Sequence, residues 1–240
     1  MAAYQGVLPG QRTLIAGWEA LAQISPGAHV TSTAGAIAAV FPAWEPLNSA
    51  ILTDPAASVD EVRDVYKGAT VPVWALWRPT RVLDLDTPDA DGPLGELKRD
   101  TTTLVMQTEL GTQLRHDNAV LPASIDAVAR LDEDARMTAR DLGEREGVPG
   151  LAGWAIIHDG LVVAAAWSHV HESDCGIYGV ETLPAFRRRG FARRLMEHML
   201  ADARSHGAQT ASLQSTRMGR PLYETLGFTP AGRYEEWLWQ

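Results

Sequence analysis

The sequence predicts an α+β fold in two halves of similar order. Three observations carry this. A β-rich run from Ile177 to Thr182 leads through a glycine-containing turn into an amphipathic helix. His158-Asp159-Gly160 joins two apolar runs, and Asp-Gly between such runs is a hairpin signal. The order hairpin, helix, strand, short helix, strand then occurs twice along the chain. With 240 residues and 45% apolar composition, the chain has room for two small domains or one elaborated domain around a sizeable core.

In the first half, Gln11 to Gln23 carries Leu14, Ile15, Trp18, Leu21 and Ala22 on one face and reads as a helix ended by Ser25-Pro26-Gly27. Ala36 to Phe41 and Leu47 to Leu52 are strand-like and are separated by Pro42 and Pro46. Ser58 is an N-cap candidate before the acidic first turn Asp60-Glu61, and Val62, Val65 and Tyr66 give that helix its apolar edge. Val71 to Trp77 alternates as a strand does. Asp84 to Pro93 is acidic and turn-rich, Gly95 to Arg99 reads as a short helix, and Thr101 to Met106 as a strand.

Residues 107–120 form the expected joint. Ser124 to Arg140 is helical in pattern, with Ile125, Val128, Ala129, Leu131 and Met137 apolar; Gly147 to Gly150 is a turn. Trp154 to Ile157 and Leu161 to Val170 are the hairpin strands, and His171 to Gly176 is the next turn. Ala192, Leu195, Met196, Met199, Leu200 and Ala203 recur at helical spacing, with Gly207 as the stop. Thr210 to Gln214 reads as a strand, Leu222 to Leu226 as a helix stopped by Gly227, and Tyr234 to Trp239 as a closing strand. The repeated order implies an internal duplication, with domains at 1–118 and 119–240. In the first half the place of the glycine turn is taken by Asp54-Pro55-Ala56-Ala57-Ser58, which has no arginine or glycine and carries an acid. That half is expected not to bind the anion.

The turn Arg187-Arg188-Arg189-Gly190-Phe191-Ala192 is the chemical centre of the second half. A strand, a tight turn and a helix N-terminus present free N–H groups and the positive end of the helix dipole. Gly190 removes a Cβ where a phosphate must approach the backbone. The order Gly-x-Gly-x-x-Gly is absent, which disfavours a dinucleotide. The segment Gly179 to Ala192 resembles the acetyl-CoA motif of the GNAT superfamily of N-acetyltransferases, Gln/Arg-x-x-Gly-x-Gly/Ala. Leu222-Tyr223-Glu224-Thr225-Leu226-Gly227-Phe228, about thirty residues on, resembles that family's second signature.

The resemblance implies a mixed, mostly antiparallel sheet flanked by helices, an intact GNAT unit preceded by a degenerate one, and direct acetyl transfer from acetyl-CoA to a primary amine. It implies that the backbone of Arg188, Arg189, Gly190, Phe191, Ala192 and Arg193 cradles the pyrophosphate. It also implies that Val180, Glu181 and Thr182 pair with the pantetheine arm and polarise the acetyl oxygen. Tyr223 stands at the place of the family's proton donor. Glu181 is the candidate base or water-positioner, with His169 and His171 one strand away as the other titratable groups. Where many relatives carry an asparagine, seven residues before the tyrosine, this chain has Thr216, whose hydroxyl is expected to make the pantetheine contact in part. A cofactor-binding protein that catalyses nothing, a CoA sensor or scaffold, is the rival from another class.

Charge narrows the partners. The chain's net charge is −9, yet Arg187 to Arg220 holds eight arginines against Glu197 and Asp202. An acidic protein with one basic island suits a small polyanion and disfavours nucleic acid and anionic membrane. Cys175 is the only cysteine, so no intramolecular disulfide forms and it reads as a packing residue. No metal-ligand spacing and no 18-residue apolar run occur. The expected protein is cytoplasmic, free of metal, and acts on an amine-bearing small molecule or protein; a homodimer is compatible with this reading.

Overall fold

A computed structural model describes residues 8–54, 57–86, 94–112 and 114–239. Among these described residues eleven strands form one sheet. In chain order the elements are α1 (Gln11–Ala22), β1 (His29–Ser32), β2 (Ala36–Val40), β3 (Ser49–Leu52), α2 (Val59–Ala69), β4 (Ala75–Thr80), β5 (Lys98–Glu109) and β6 (Val120–Ala123). They continue with α3 (Ile125–Arg130), β7 (Leu151–His158), β8 (Leu161–His171), β9 (Asp174–Thr182), α4 (Phe191–Ser205), β10 (Thr210–Ser215), α5 (Arg220–Thr225) and β11 (Thr229–Leu238). The sheet order is β1-β2-β3-β4-β11-β5-β10-β9-β8-β7-β6. Only β3–β4 and β9–β10 are parallel, so the sheet is mixed and mostly antiparallel, as expected.

This order repeats itself about its centre. β2-β3-α2-β4 is paired in the same senses as β8-β9-α4-β10. β4 is followed in the sheet by antiparallel β11, and β10 by antiparallel β5. Each half therefore lends its last strand to the other. The boundary at 118/119 divides the chain but not the sheet.

Helices α2 and α4 cover one face. Val62 and Tyr66 of α2 pack with Leu52, Leu76 and Trp237; Leu195, Met196 and Met199 of α4 pack with Cys175, Ile177 and Leu213. Burying each of these large side chains contributes about 1.5–3 kcal/mol. Helices α1 and α3 cover the opposite face, α1 over Tyr178, Val105 and Tyr234, and α3 over Ala155, Val162 and Ala165. Ser58 caps α2 through the Glu61 N–H, 3.4 Å away, as its sequence indicates. Asp159 and Gly160 both have positive φ, which suits the tight hairpin between β7 and β8. Cys175 and Trp237 are core residues, the cysteine fully buried with its thiol pKa pushed up by that burial.

Several elements differ from the sequence reading. The helix expected over 124–140 stops at Arg130, because Asp134 and Thr138–Asp141 spend their side chains on local backbone N–H groups instead. Its continuation is a chain of turns and a 3-10 turn, Ala139–Asp141, and the Met137 carbonyl accepts from Val162 of β8. The helix expected at Gly95 to Arg99 is a turn followed by the start of β5, since Lys98 and Arg99 pair with Leu238 and Trp237. The 171–176 turn shrinks to Glu172-Ser173, with Asp174 already in β9. Strands β1 and β6, one polar and one holding Pro122, are edge strands without a clear apolar alternation. Residues 55–56 and 87–93, within the acidic segment before α2 and the Asp84 to Pro93 segment, lie outside the described residues.

Candidate active site

The last register pair between parallel β9 and β10 is Ile177–Leu213. Beyond it β10 stays with β5 through Gln214 and Ser215, while β9 stays with β8 through Glu181 and Thr182. The two strands part, and the β10-facing edge of β9 opens. A bulge at Gly179, φ 58°, sits where they part. A cleft of about 500 Å3 fills the wedge.

The anion-binding end of the cleft is built by the chain leaving β9. Pro184–Phe186 makes one 3-10 turn; Arg188, φ 64°, and Gly190, φ 85°, then adopt left-handed backbone, and α4 begins at Phe191. A non-glycine residue in that region carries a cost of order 1 kcal/mol, which the turn absorbs at Arg188. No side chain caps α4, and its first turn holds no acid. Its leading N–H groups, which no helix can satisfy internally, face the cleft that Gly190, Phe191, Ala192 and Arg193 line. Nothing lies within 4 Å of where a Cβ at 190 would stand, so backbone conformation is what demands glycine in the ligand-free fold. The other half differs at the same place: Ser58 already caps α2, and Asp60 and Glu61 occupy its first turn.

Most arginines of the basic island are committed. Arg193 donates to Thr225 Oγ1 at 2.6 Å, and also pairs with Glu197. Arg194 turns away to Asp117 at 2.7 Å, and the guanidinium of Arg189 lies 5.2 Å from the Phe186 ring centre. Arg187 donates to Glu181 Oε1 and to the Thr182 carbonyl, each at 2.9 Å. Arg188 is exposed, lines the cleft, and makes no ion pair among the described residues.

Tyr223 and Glu181 meet the cleft from opposite sides. Tyr223, only 8% exposed, packs with the α4-side core. Burial and, secondly, the Glu181 charge push its phenol pKa up to about 12, so it holds its proton at neutral pH. Glu181 pairs in register with Ala165, which packs under α3, so it lies on the α3 side of the sheet. Neighbouring Thr182 pairs with Ala164 of the α4-side core, and its hydroxyl is buried without a hydrogen-bond partner among the described residues.

The cleft collects Val180, Glu181, Thr182, Arg188, Gly190, Phe191, Ala192, Arg193 and Tyr223 from the sequence reading. It leaves out Arg189 and Thr216. Thr216 instead starts α5: its carbonyl accepts from Gly219 and Arg220, and its Oγ1 accepts from the Gly219 N–H at 3.2 Å. His169 is buried close to where a Cβ of Gly17 in α1 would stand, and His171 faces a separate cavity near Thr13 and Asp174. Neither histidine reaches the wedge. Phe186, Arg187, Met218, Leu222 and Thr225 line it as well. Arg187 and Leu222 already stand inside the two sequence motifs; Met218 carries no such signal.

The residues present fit a cofactor with a diphosphate and a narrow arm. The uncapped helix end, the open space at Gly190 and the orphaned Thr182 hydroxyl are the observations that fit it. A splayed parallel pair leading into an anion-binding turn is the arrangement such a cofactor needs. Residues 120–228 match the acetyltransferase (GNAT) family, and the chain carries a GNAT acetyltransferase domain over those residues. That family draws its acetyl group from acetyl-CoA. No curated protein matches the chain. Among solved structures, a GCN5-related N-acetyltransferase from Kribbella flavida is 18% identical, with 96% of each chain covered and a TM-score of 0.59. A GNAT-family protein from Novosphingobium aromaticivorans is 18% identical over 88% of this chain and 91% of that one, TM-score 0.55. A GCN5-related N-acetyltransferase-like protein from Streptococcus suis is 13% identical over 89% and 88%, TM-score 0.56. At these identities they share the fold. Among the described residues no helix is long and apolar enough to cross a membrane.

Proposed function

We propose that the protein transfers the acetyl group of acetyl-CoA directly to a primary amine of a small molecule or protein. The observation that carries this is the placement of Glu181 and Tyr223 on opposite faces of the sheet at one opening. The N–H groups at the start of α4, over Arg188 to Arg193, would hold the pyrophosphate. Val180, Glu181 and Thr182 would align the pantetheine arm along the free edge of β9. Bound acetyl-CoA supplies an acetyl group activated as a thioester. Backbone N–H groups on that edge provide an oxyanion-type contact, and losing one such donor in other enzymes costs about 2.7–4 kcal/mol.

Glu181, on the α3 side, is placed to take or relay the proton of an incoming amine. Tyr223, on the α4 side, is placed to give its phenolic proton to the departing sulfur. Its raised pKa keeps that proton in place until the step needs it. Thr216 acts on this site through the turn that sets α5. The intact unit is residues 119–240, and residues 1–118 are a degenerate copy whose self-capped α2 does not take the cofactor. The topological repeat and the exchanged strands β5 and β11 support that duplication. The working compartment is the cytoplasm, and no metal takes part.

The test is free-thiol release from acetyl-CoA with a panel of primary amines: an aminoacyl ester, a polyamine, an arylalkylamine and a lysine peptide. Turnover with at least one, and a drop of about tenfold or more for Tyr223→Phe at unchanged CoA affinity, is expected. Tight CoA binding with no release across the panel would make the protein a sensor.

A further inference from the structure

Arg187 occupies the first position of the phosphate turn, yet its side chain does not follow the turn's backbone toward the anion end. It folds back across the mouth of the cleft. Nη2 reaches Glu181 Oε1 and Nε reaches the Thr182 carbonyl, both at 2.9 Å. One planar guanidinium thus grips two successive residues of β9, one by its carboxylate and one by its backbone. A fork with two fixed N–H directions sets orientation in a way that a single ammonium cannot.

We propose that Arg187 is a positioning residue for transfer: it fixes the Glu181 carboxylate and the end of β9 at the amine side of the cleft, and does not serve as a phosphate contact. The proposal rests on the reading of Glu181 given above.

Stability does not explain the pair. Its side chains are 42% and 33% exposed, and exposed ion pairs contribute about 0–1 kcal/mol. Geometry does explain it. The charged and titratable groups lining the cleft with Glu181 are Arg187 and Arg188 from the turn, Arg193 from α4 and Tyr223 from α5. Arg193 is held by Thr225 and Glu197, and among the described residues only Arg187 touches the Glu181 carboxylate. The influence of Glu181 on the Tyr223 phenol shows that this carboxylate lies within electrostatic reach of the proton donor. A carboxylate that loses the fork is no longer held in one orientation, so transfer should slow while CoA binding is kept.

The experiment compares parent, Arg187→Ala, Arg187→Lys and Glu181→Gln, each checked for folding by its melting temperature. CoA affinity is read by calorimetry, and thiol release is read from pH 5.5 to 9 with the four-amine panel pooled as the acceptor. For R187A we expect CoA affinity within about threefold of the parent and kcat down about tenfold. R187K, which keeps the charge and loses the fork, should recover only part of the rate. A tenfold loss of CoA affinity in R187A at unchanged kcat makes Arg187 a phosphate contact and overturns the proposal. A parental kcat in R187A, with kcat lowered in E181Q, also overturns it while the Glu181 reading stands. A parental profile in E181Q, or no thiol release from the parent, removes the Glu181 reading and the proposal with it. Should R187A fold poorly, R187K decides alone: parental rate at every pH would leave the fork without a role.

Discussion

A Cβ built on Gly219 falls 2.9 Å from Cε2 of the Tyr223 ring. The glycine's φ is −78°, so backbone freedom is not what it supplies. It supplies room for the phenol. Tyr223 is buried, with Phe228 6.1 Å away between ring centres, so the ring has little space for retreat on the core side. Gly219→Ala should therefore displace the ring toward the cleft. Overpacking of this kind costs about 1–3 kcal/mol. Turnover should fall about tenfold and the melting temperature by a few degrees, with CoA affinity less affected than turnover. Steady-state kinetics beside calorimetry checks this, and a fully active G219A would separate the ring's position from the reaction.

Gly190 and Arg189 offer a contrast inside one turn. Gly190 has φ 85°, and a side chain there meets open space, so Gly190→Ala isolates the backbone requirement. Left-handed backbone costs an alanine about 1–2 kcal/mol. If the turn relaxes instead, its N–H groups lose their aim. CoA affinity should drop about tenfold, since about 1.4 kcal/mol is a factor of ten. Arg189→Ala removes a guanidinium that stacks on Phe186 outside the cleft lining and should change affinity by no more than about twofold. Calorimetric titration with CoA ranks the two. The reverse order would move the anion contact from backbone to side chain.

The sequence shows best what is local. The Asp159-Gly160 hairpin, the Ser58 cap and the α4 stripe from Phe191 to Ala203 each depend on neighbours within a few residues, and each is present. The cleft's residues are legible because the two motifs contain most of them. What stays hidden is set by pairing across the chain. Nothing in Lys98 to Glu109 says that it lies between β11 and β10, over a hundred residues away. Ser124 to Arg140 has helical periodicity, yet the Met137 carbonyl serves β8 instead. His169 looks catalytic because histidine titrates near neutrality, and only the packing of α1 shows that it is enclosed away from the cleft.

At the seam between the halves, Glu235 lies fully buried between two arginines. Arg78 donates to its Oε2 at 2.6 and 2.9 Å, and Arg233 to its Oε1 at 2.7 Å. Removing one member of a buried charged set leaves the others uncompensated, at about 3–5 kcal/mol. Glu235→Gln should lower the melting temperature by about 10 °C, taking about 2–4 °C per kcal/mol for a chain of this size. Asp64→Asn, which breaks an exposed pair with Lys67 at 3.5 Å, should shift it by no more than about 1 °C. Equal melting of the two variants would mean that the seam tolerates a neutral partner.

Acid should loosen the fold through two enclosed histidines. His198 is enclosed by Trp154 at 4.5 Å and His116 at 5.2 Å between ring centres, with Nδ1 3.1 Å from the Asp117 backbone. Its pKa is lowered, first by burial and then by His116, against smaller opposing effects of the Asp117 backbone, Asp202 and the Asp117 charge. That of His169 is lowered by burial and then by His171, against a hydrogen bond that its ring donates to the Thr13 backbone carbonyl. Both are thus favoured neutral in the fold, whereas the unfolded chain takes up protons near the ordinary 6.5. Stability contributed by keeping them neutral is full above that value and declines as pH falls through it, because the unfolded state then binds more protons. Asp117 behaves differently. Its pKa is held down, chiefly by the Arg194 hydrogen bond, so its contribution persists to below the ordinary 3.8. The melting temperature at pH 5.5 should lie about 5 °C below that at pH 7.5, on the scale of about 2–4 °C per kcal/mol. His198→Asn keeps an acceptor or donor where Nδ1 stands and removes the titration, and His169→Gln removes the second; together they should flatten the difference. The same decline in the double variant would place the acid sensitivity elsewhere in the molecule.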